Sequence, residues 1–317
     1  MTTGLGVAGL GGLGEALIKD AVATEGLRVV AVQDVVPGRA RAVAEQYAVD
    51  WSGERFDALL GAPRVDAIVI CTPNALHAAQ AQAALDAGKH ALVQKPLALT
   101  CGDAQATLDA ARRGNRLLFV DYSYRFLDTI AVLRQHLPHT NAIRGVRATF
   151  HNIYGPGVEK RWFYEPALSG GGALTDLGVH LLDLAVWMLA PREVRLESVS
   201  FAGDGPVETD GRLLVAADGI PIQVDVSWNS PLPATQISFE VRTSEHTLRW
   251  ENVDGSFFHF RTTVDGRVVA ERETTLREDT LRAFKRALAS GTAPSVDTRV
   301  YALLDQAYGR DAQSGTS

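Results

Sequence analysis

Cysteine is scarce in this chain of 317 residues, which contains only Cys71 and Cys101. Their positions do not follow the ligand spacing of metal sites, and a single bridge would be an unusual framework for a chain of this size. We therefore predict two reduced thiols, a cytoplasmic location and no bound metal.

Long apolar runs and an excess of basic residues are also absent. No uninterrupted apolar run approaches the roughly 18 residues of a membrane-spanning helix, and no basic residues precede the apolar N-terminal stretch as they would in a signal peptide. The 31 lysines and arginines are outnumbered by 37 acidic residues, which gives a net charge of −6 without a basic patch. These features predict no nucleic-acid partner and no membrane partner.

The length and composition indicate a globular protein with two cores, because single cores stop growing at about 250–300 residues. Hydrophobic residues make up 46% of the chain and charged residues 21%, as in ordinary globular proteins. Up to Asp121, short apolar strands alternate with helical segments. This alternation predicts parallel βαβ units in a doubly wound α/β domain over residues 1–121.

Beyond Asp121 the pattern changes. Several strand-like runs follow a glycine cluster and a helix, and Asp-Gly pairs at 218–219, 254–255 and 265–266 punctuate them, which is typical of hairpins. We predict an α+β domain over residues 122–317, built on a large, mainly antiparallel sheet. Its C-terminal helices can pack back on the first domain, and residues 311–317 are expected to form a disordered tail.

A glycine-rich stretch near the start has the spacing of a phosphate-binding turn. Gly9, Gly11 and Gly14 form a G-x-G-x-x-G pattern between an apolar run and a helix-like run. In such a turn the first glycine permits a sharp bend, the second lets the backbone approach a pyrophosphate, and the third lets the helix pack closely on the strand. The start of the helix also offers free N–H groups to the phosphates. The predicted cofactor contacts of this turn are Gly9, Leu10, Gly11, Gly12, Leu13 and Gly14.

Asp34 is the predicted ribose ligand. It ends a second strand-like run about 20 residues beyond the last glycine, where an acidic residue accepts hydrogen bonds from the adenosine ribose. The carboxylate would repel the 2′-phosphate of NADP. The next residues are Val35 and Val36, and not a Ser-Arg pair that could bind that phosphate, so NAD is favoured over NADP. Arg39 and Arg41 are expected to face solvent. A solvated loop acid is the alternative interpretation of Asp34.

Two further strand ends carry unusual polar sequences. Thr72-Pro73-Asn74 follows one predicted strand, and Gln94-Lys95-Pro96 follows another. Because ligands of doubly wound sheets bind beyond the carboxyl ends of the strands, we expect both segments at the cofactor. An ordinary surface charge is the alternative interpretation of Lys95.

Asp176 and His180 follow a glycine cluster and are four residues apart, so on a helix they would share one face, with Asp183 near both. Such a pair can do acid–base work or bind a metal ion, although two residues are too few ligands for a metal site. By pattern alone, a buried structural contact explains the pair equally well.

Taken in order, these motifs resemble those of the Gfo/Idh/MocA oxidoreductases, a family named for glucose–fructose oxidoreductase, inositol dehydrogenase and a rhizopine-catabolism protein. The matching residues are the glycine turn, Asp34, Cys71-Thr72-Pro73-Asn74 with His77, Gly88-Lys89-His90, Gln94-Lys95-Pro96, Tyr124-Arg125-Phe126 and the segment 170–183. The resemblance spans essentially the whole chain. It implies an N-terminal Rossmann domain that binds NAD and a C-terminal domain whose open sheet forms a homodimer or homotetramer. Beyond the turn, the implied cofactor contacts are Asp34, Cys71, Thr72, Pro73, Asn74, His77, Gln94 and Lys95.

The resemblance also implies catalytic roles. His180 would be the general acid/base for the substrate oxygen, Lys95 would orient and polarise that oxygen, and Asp176 would bind substrate hydroxyls or fix the histidine. Imidazole suits the first role because it titrates close to working pH. The family usually has Glu where this chain has Gln94, so we expect Lys95 to lose an adjacent carboxylate and the contacts at the nicotinamide ribose to be weaker or rearranged.

A group of polar and aromatic side chains is predicted to contact a polyhydroxylated substrate: Arg125, His151, Tyr154, Arg161 and Trp162, together with Asp176 and His180. By resemblance we expect an NAD-dependent oxidoreductase that acts on the secondary alcohol or ketone of a sugar, a sugar derivative or a cyclitol such as inositol. The alternative is a non-catalytic, dinucleotide-binding regulator or scaffold of the same fold, which the presence of Lys95, Asp176 and His180 disfavours.

Overall fold

A computed structural model describes residues 2–310 of the chain, except for the side chains of residues 158 and 159. The tail predicted at residues 311–317 lies outside this described part. The chain folds into two compact units. One is built from Met1–Asp121 and Arg277–Val296, the other from Tyr122–Leu276 and Asp297–Ser317.

Strands and helices alternate in the first third of the chain, whereas strands predominate after residue 190. The strands are β1 (Thr3–Ala8), β2 (Leu27–Gln33), β3 (Trp51–Gly53), β4 (Ala67–Ile70), β5 (His90–Gln94), β6 (Leu118–Asp121), β7 (Ile143–His151), β8 (Val194–Ala202), β9 (Asp210–Ala217), β10 (Ile220–Ser227), β11 (Gln236–Thr243), β12 (Thr247–Asn252), β13 (His259–Val264) and β14 (Arg267–Glu273). The helices are α1 (Gly12–Val22), α2 (Arg39–Tyr47), α3 (Phe56–Leu60), α4 (Asn74–Asp86), α5 (Cys101–Gly114), α6 (Asp128–Gln135), α7 (Pro166–Ser169), α8 (Val179–Leu189), α9 (Leu276–Ser290) and α10 (Arg299–Ala307).

The first unit contains a six-stranded sheet in the order β3-β2-β1-β4-β5-β6, in which every neighbouring pair is parallel. This is the strand order of a Rossmann fold, whose ligands bind beyond the carboxyl ends of the strands. Every residue of β4 is apolar and buried, as expected where helices cover both faces of a parallel sheet. The predicted doubly wound sheet is confirmed, but β3 was missed because three residues give no periodic signal.

Helix α9 packs with the first unit although it comes late in the chain. Phe284 packs edge-on against Phe119, with ring centroids 5.4 Å apart, and Arg277 forms an ion pair with Asp20 at 2.6 Å. Residues 277–296 thus interrupt the second domain, which the sequence analysis described as one continuous range.

The second unit contains an eight-stranded sheet in the order β14-β13-β12-β11-β7-β10-β9-β8. Its neighbouring pairs are antiparallel except for β7 and β10, which run parallel. Along β7, Val146, Ala148 and Phe150 are buried on one face, whereas Arg147 is exposed on the opposite, open face. The predicted α+β class with a mainly antiparallel sheet is confirmed.

Two hairpins of this sheet close on Asp-Gly pairs. Asp218-Gly219 joins β9 to β10, Asp265-Gly266 joins β13 to β14, and all four residues have φ between 47° and 82°. Such left-handed conformations give a two-residue turn whose twist matches that of the flanking strands. The short hairpin signals in the sequence therefore located these turns correctly.

One apolar helical stretch, Pro166–Leu189, is long and apolar enough to cross a membrane by length and composition alone, with a mean hydropathy of 1.3. However, 83% of that window is buried inside the fold. Buried core helices pass the same test, so this stretch is weak evidence for a membrane span.

Candidate active site

The glycine turn after β1 contains glycines of two kinds. Gly9 has φ +82°, and a Cβ there would lie 2.7 Å from the backbone of Cys71. A Cβ on Gly14 would lie 2.0 Å from the carbonyl oxygen of Gly9. By contrast, a Cβ on Gly11 or Gly12 would meet nothing within 4 Å. The fold itself therefore requires Gly9 and Gly14, whereas Gly11 and Gly12 border open space.

The start of helix α1 offers hydrogen-bond donors beside that open space. The first backbone N–H paired along the helix is that of Glu15, which donates to the carbonyl of Gly11 at 3.0 Å, and no side chain caps the helix at Gly11. The N–H groups just before Glu15 have no acceptor within the helix and lie at its positive end. Leu13 is 43% exposed at the same place. The residues present thus fit a dinucleotide diphosphate.

Asp34 ties the end of β2 to the glycine turn. Its Oδ2 accepts from the backbone N–H of Leu10 at 2.7 Å and its Oδ1 from that of Val36 at 2.9 Å. The residue is 8% exposed, so it is buried and not the solvated loop acid of the alternative interpretation. Each carboxylate oxygen keeps a second lone pair that can accept from a ribose hydroxyl. Arg39 and Arg41 are exposed as expected, but Arg39 Nε also donates to the Leu10 carbonyl at 2.6 Å.

His77 connects the loops that follow β4 and β5. It is almost fully buried, with Nδ1 2.7 Å from the carbonyl oxygen of Pro96 and Nε2 2.7 Å from that of Thr72. Burial lowers the pKa of the imidazole, and the two carbonyl groups oppose this shift. Both ring nitrogens therefore face backbone carbonyls, so His77 holds these loops in place. Beside it, Pro73 precedes helix α4 and Asn74 is buried at its first position.

Gln94 and Lys95 stand at the end of β5, next to a buried carboxylate. Gln94 Nε2 donates to Oδ2 of Asp121 at 2.7 Å, and Thr280 Oγ1 donates to Oδ1 of Asp121 at 2.7 Å. Burial raises the pKa of Asp121, while these donors and the charge of Lys95 oppose the shift. Burial, and then the Asp121 charge, raise the pKa of the Cys71 thiol. Gln94 therefore holds a buried carboxylate that belongs to the neighbouring strand.

In the second unit, Asp176 and His180 lie beside one tyrosine. Asp176 belongs to a π-helical turn, Leu174–Gly178, directly before α8, and such turns are frequent at functional sites. The Tyr124 ring lies 5.0 Å from the His180 ring, and burial and then the Asp176 charge raise the pKa of the Tyr124 hydroxyl. Trp228 Nε1 donates to Asp176 Oδ2 at 3.0 Å. The Tyr124 ring thus packs on His180, and an indole orients the carboxylate of Asp176.

Glu208 caps the start of the turn that carries Asp176. Its carboxylate accepts from the backbone N–H of Gly172 at 2.9 Å, from that of Leu174 at 3.0 Å and from the Tyr308 hydroxyl at 2.6 Å. A Cβ on Gly172 would lie 1.8 Å from the Glu208 carbonyl oxygen. The glycine cluster therefore allows a backbone approach that the carboxylate then secures.

Arg125, a candidate substrate contact, pairs with Asp183. The two residues form a buried bidentate ion pair, with Arg125 Nε 2.6 Å from Asp183 Oδ2 and a second contact between Arg125 Nη2 and Asp183 Oδ1. The guanidinium also lies over the Tyr122 ring, 5.1 Å from its centroid. Separating such a pair would leave a buried charge at a cost of about 3–5 kcal/mol, so the guanidinium is committed to Asp183.

His151 lies on the open face of the sheet, next to Asp225 and Arg212. Burial lowers the pKa of His151, and the charge of Asp225 opposes this shift. On β10, Val226 points to the other face, where a Cβ on Gly178 would lie 3.6 Å from its side chain. The structure thus places His151 on the face opposite the turn of Asp176, which argues against a shared substrate pocket.

Trp162 is connected to the indole of Trp228 through Phe163. Trp162 packs against Phe163 with ring centroids 4.0 Å apart, and Phe163 lies 6.2 Å from Trp228 in an edge-on contact. Tyr154 is 56% exposed and Arg161 is exposed. Trp162 is therefore linked by aromatic contacts to the partner of Asp176.

Three residues in these contacts were missed by the sequence analysis: Asp121, Glu208 and Trp228. Asp121 directly follows a predicted strand, so the strand-end rule that found Lys95 could have found it. Glu208 and Trp228 had no local signal, because their partners are 34 to 100 residues away. Within residues 2–310, no group of three or more His, Cys, Asp or Glu side chains is placed to hold a metal ion.

Comparison with known proteins agrees with this geometry. Residues 3–122 match an oxidoreductase family with an NAD-binding Rossmann fold, and residues 141–249 match the Gfo/Idh/MocA C-terminal domain. The chain is 30% identical over 251 residues to inositol 2-dehydrogenase 1 of Saccharopolyspora erythraea, covering 76% of this chain and 71% of that protein. It is 28% identical over 300 residues to D-xylose 1-dehydrogenase (NADP(+)) 2 of Haloferax volcanii, covering 92% and 91%.

A solved structure shares the fold over the whole chain. A levoglucosan dehydrogenase in complex with NADH and levoglucosan superimposes with a TM-score of 0.83 at 20% identity, covering 100% of this chain and 98% of that one. The two family matches and the relative at 30% identity identify the chain as a member of the Gfo/Idh/MocA family of oxidoreductases, with an NAD-binding Rossmann fold in its N-terminal part.

Proposed function

We propose that the protein transfers a hydride between NAD and the secondary alcohol or ketone of a sugar, a sugar derivative or a cyclitol. The observation that carries the proposal is the glycine turn, which leaves open space at Gly11 beside free helix N–H groups and a buried Asp34. The relatives named for inositol and D-xylose support the substrate class. No relative reported above supports the non-catalytic alternative.

The proposed chemistry divides between the cofactor and the chain. When bound, the nicotinamide supplies the hydride acceptor or donor. His180 takes the hydroxyl proton of the alcohol as general base, or returns it in the reverse direction. Lys95 holds the same oxygen by its ammonium group, and Asp176, oriented by Trp228, accepts hydrogen bonds from neighbouring substrate hydroxyls.

Substrate turnover tests this proposal directly. A panel of sugars, cyclitols and their oxidised forms is assayed with NAD or NADH at about 340 nm, where the reduced nicotinamide absorbs. On the best substrate, Lys95→Ala and His180→Ala are expected to lower kcat by about a hundredfold or more. The exposed residues Lys19 and His139 provide matched controls, Lys19→Ala and His139→Ala, which should leave kcat unchanged. Tight NAD binding without turnover of any panel member would favour a regulator instead.

NAD is the proposed cofactor over NADP, because Asp34 places a carboxylate at the ribose position of the turn. One relative carries NADP in its name, so the preference needs its own measurement. We expect kcat/KM to be at least about tenfold higher with NAD, and Asp34→Ala to narrow that ratio. Arg39, which contacts the Leu10 carbonyl, is the nearby cation that could receive a 2′-phosphate. A wild-type preference for NADP would contradict this assignment.

A second copy of the chain is the proposed partner of the open sheet face, which gives a homodimer or homotetramer. On that face Arg249 pairs with Glu240 and Glu251, and Arg261 pairs with Glu251, so it presents a row of mixed charge. Light scattering after gel filtration should give a mass of two or four chains; a single-chain mass at micromolar concentration would contradict it. We place the protein in the cytoplasm, without nucleic-acid or membrane partners, which cell fractionation can check.

A further inference from the structure

Tyr308 brings a late segment of the chain to the turn that carries Asp176. It directly follows α10 and belongs to the second unit, as does the turn Leu174–Gly178. Its hydroxyl donates to Oε1 of Glu208 at 2.6 Å and accepts from the Thr175 hydroxyl at 3.0 Å. Thr175 is the residue directly before Asp176. The phenol therefore links the carboxylate that caps the turn to the turn itself.

The glycine cluster before this turn makes room for the phenol. Gly171 has φ +138°, and a Cβ there would lie 2.4 Å from the Tyr308 hydroxyl oxygen and 2.4 Å from Thr175 Oγ1. Any residue with a side chain at position 171 would thus meet both partners of the hydrogen bond. The space beside Gly171 is therefore occupied by a side chain of the protein itself, whereas Gly11 of the first unit borders open space.

Neighbouring groups hold the Tyr308 ring in place. The ring stacks on that of Phe201, with centroids 5.2 Å apart and planes at 13°, and the Arg310 guanidinium lies 4.5 Å from its centroid. The same guanidinium donates to the carbonyl of Gly170. Burial and then the Glu208 charge raise the pKa of the Tyr308 hydroxyl, so it stays protonated and able to donate. The hydroxyl therefore has a fixed position and a fixed protonation state.

The turn needs such contacts because its π-helical geometry is rare. Rare backbone geometries persist where the surrounding structure determines them. The Asp176 N–H donates to the carbonyl of Gly172 at 3.0 Å, and the Asp176 carboxylate accepts from Trp228 Nε1 at 3.0 Å. The backbone of Asp176 is joined directly to that of Thr175. A shift of Thr175 therefore moves the Asp176 carboxylate relative to the indole of Trp228.

We propose that Tyr308 is a positioning residue of the reaction, whose hydroxyl fixes Thr175 and so aligns the Asp176 carboxylate. This inference rests on the proposed function, because Tyr308 affects turnover only through Asp176. The glycine cluster then serves this contact, because it leaves space for the phenol. Removing the Tyr308 hydroxyl leaves the Thr175 hydroxyl with the Gly170 carbonyl, at 3.1 Å, and allows the turn to move.

A spectroscopic measurement tests the alignment without any substrate. The full-length protein is labelled with 5-fluorotryptophan at its five tryptophans, and Trp228→Phe identifies the fluorine resonance of Trp228. Tyr308→Phe keeps the ring and removes the hydroxyl, and Thr175→Val removes the other hydroxyl of the pair. Both variants should move the Trp228 resonance, whereas Thr175→Ser, which keeps the hydroxyl, should not. Tyr47→Phe is the matched control, because it removes a hydroxyl that is hydrogen-bonded to Glu15 in the first unit.

Kinetic measurements test whether the alignment matters to the reaction. On the best substrate, Tyr308→Phe and Thr175→Val should each lower kcat/KM by about tenfold, because a small displacement of a positioned group weakens catalysis. The double variant should also lose about tenfold, since both changes act through one contact, whereas independent effects would multiply to about a hundredfold. Thr175→Ser and Tyr47→Phe should keep the kcat/KM of the wild type.

Three results would overturn the proposal. They are a Trp228 resonance at its wild-type position in Tyr308→Phe, a wild-type kcat/KM in that variant, and a loss of about a hundredfold in the double variant. If Tyr308→Phe does not fold, Thr175→Val decides in its place by the same resonance and the same kcat/KM. If the resonance moves as expected but His180→Ala keeps normal turnover, the alignment of Asp176 stands and the proposed function fails.

Discussion

Replacing Glu208 by Ala tests how the fold holds the turn of Asp176. The carboxylate accepts three hydrogen bonds, from Gly172 N–H at 2.9 Å, Leu174 N–H at 3.0 Å and the Tyr308 hydroxyl at 2.6 Å. Alanine would leave two N–H groups at the start of a helical segment and one phenol without their acceptor. Glu208 is half-buried, so water can replace part of what is lost.

The expected loss follows from these contacts. An N-cap side chain contributes about 1 kcal/mol, and hydrogen bonds to a charged acceptor about 1.5–3 kcal/mol each before water competes. We expect Glu208→Ala to lower the free energy of unfolding by about 2–4 kcal/mol. Glu208→Gln keeps one acceptor oxygen and should cost about half as much. Tyr308→Phe removes the hydroxyl that donates to Glu208 and accepts from the Thr175 hydroxyl, and it should cost about 1–2 kcal/mol.

Urea denaturation, followed by circular dichroism, measures these differences in the free energy of unfolding. The control is Glu245→Ala at an exposed position, whose free energy of unfolding should stay within about 0.5 kcal/mol of wild type. The kcat of Glu208→Ala should also fall, since the turn it secures carries Asp176. An unfolding free energy within about 0.5 kcal/mol of wild type for Glu208→Ala would refute the reasoning, because three bonds of these lengths could not then be important to the fold.

Three other predictions concern single sites. Gly11→Ala should keep the wild-type free energy of unfolding but bind NAD about tenfold or more weakly in a fluorescence titration. Gly14→Ala should have a lower free energy of unfolding in denaturant, because the Cβ at position 14, unlike that at position 11, would meet the backbone. Equal stability of the two variants would contradict this. Trp228→Phe should lower kcat by about tenfold with a small change in unfolding midpoint, because it removes the donor to Asp176; an unchanged kcat would argue against that role. Burial raises the pKa of Asp121 in the folded state, so the free energy of unfolding of the wild type, relative to that of Asp121→Asn, should fall as pH rises above about 4. Urea denaturation from pH 4 to 8 measures this difference, and a difference that increased with pH would contradict the raised pKa.

Local patterns predicted the elements that carry the site. The strand Leu27–Gln33 and the helices near Asn74–Asp86 and Cys101–Gly114 were found because their apolar periodicity is a property of each segment alone. The Asp-Gly hairpins and the glycine turn were found for a similar reason, since their conformations depend on residues that follow one another directly. The ion pair between Arg125 and Asp183 was not predicted, because sequence spacing does not show which long side chains meet.

The sequence by itself determined the Rossmann sheet, the mainly antiparallel second sheet and the short motifs at the strand ends, because backbone geometry and binary patterning act over a few residues. Only the tertiary structure decided which distant groups share a contact. It paired Gln94 with Asp121 across two strands, and Arg125 with Asp183, and it placed His151 on the open face. Burial and charge balance depend on all neighbours in space, and these are fixed only when the sheets and helices have packed.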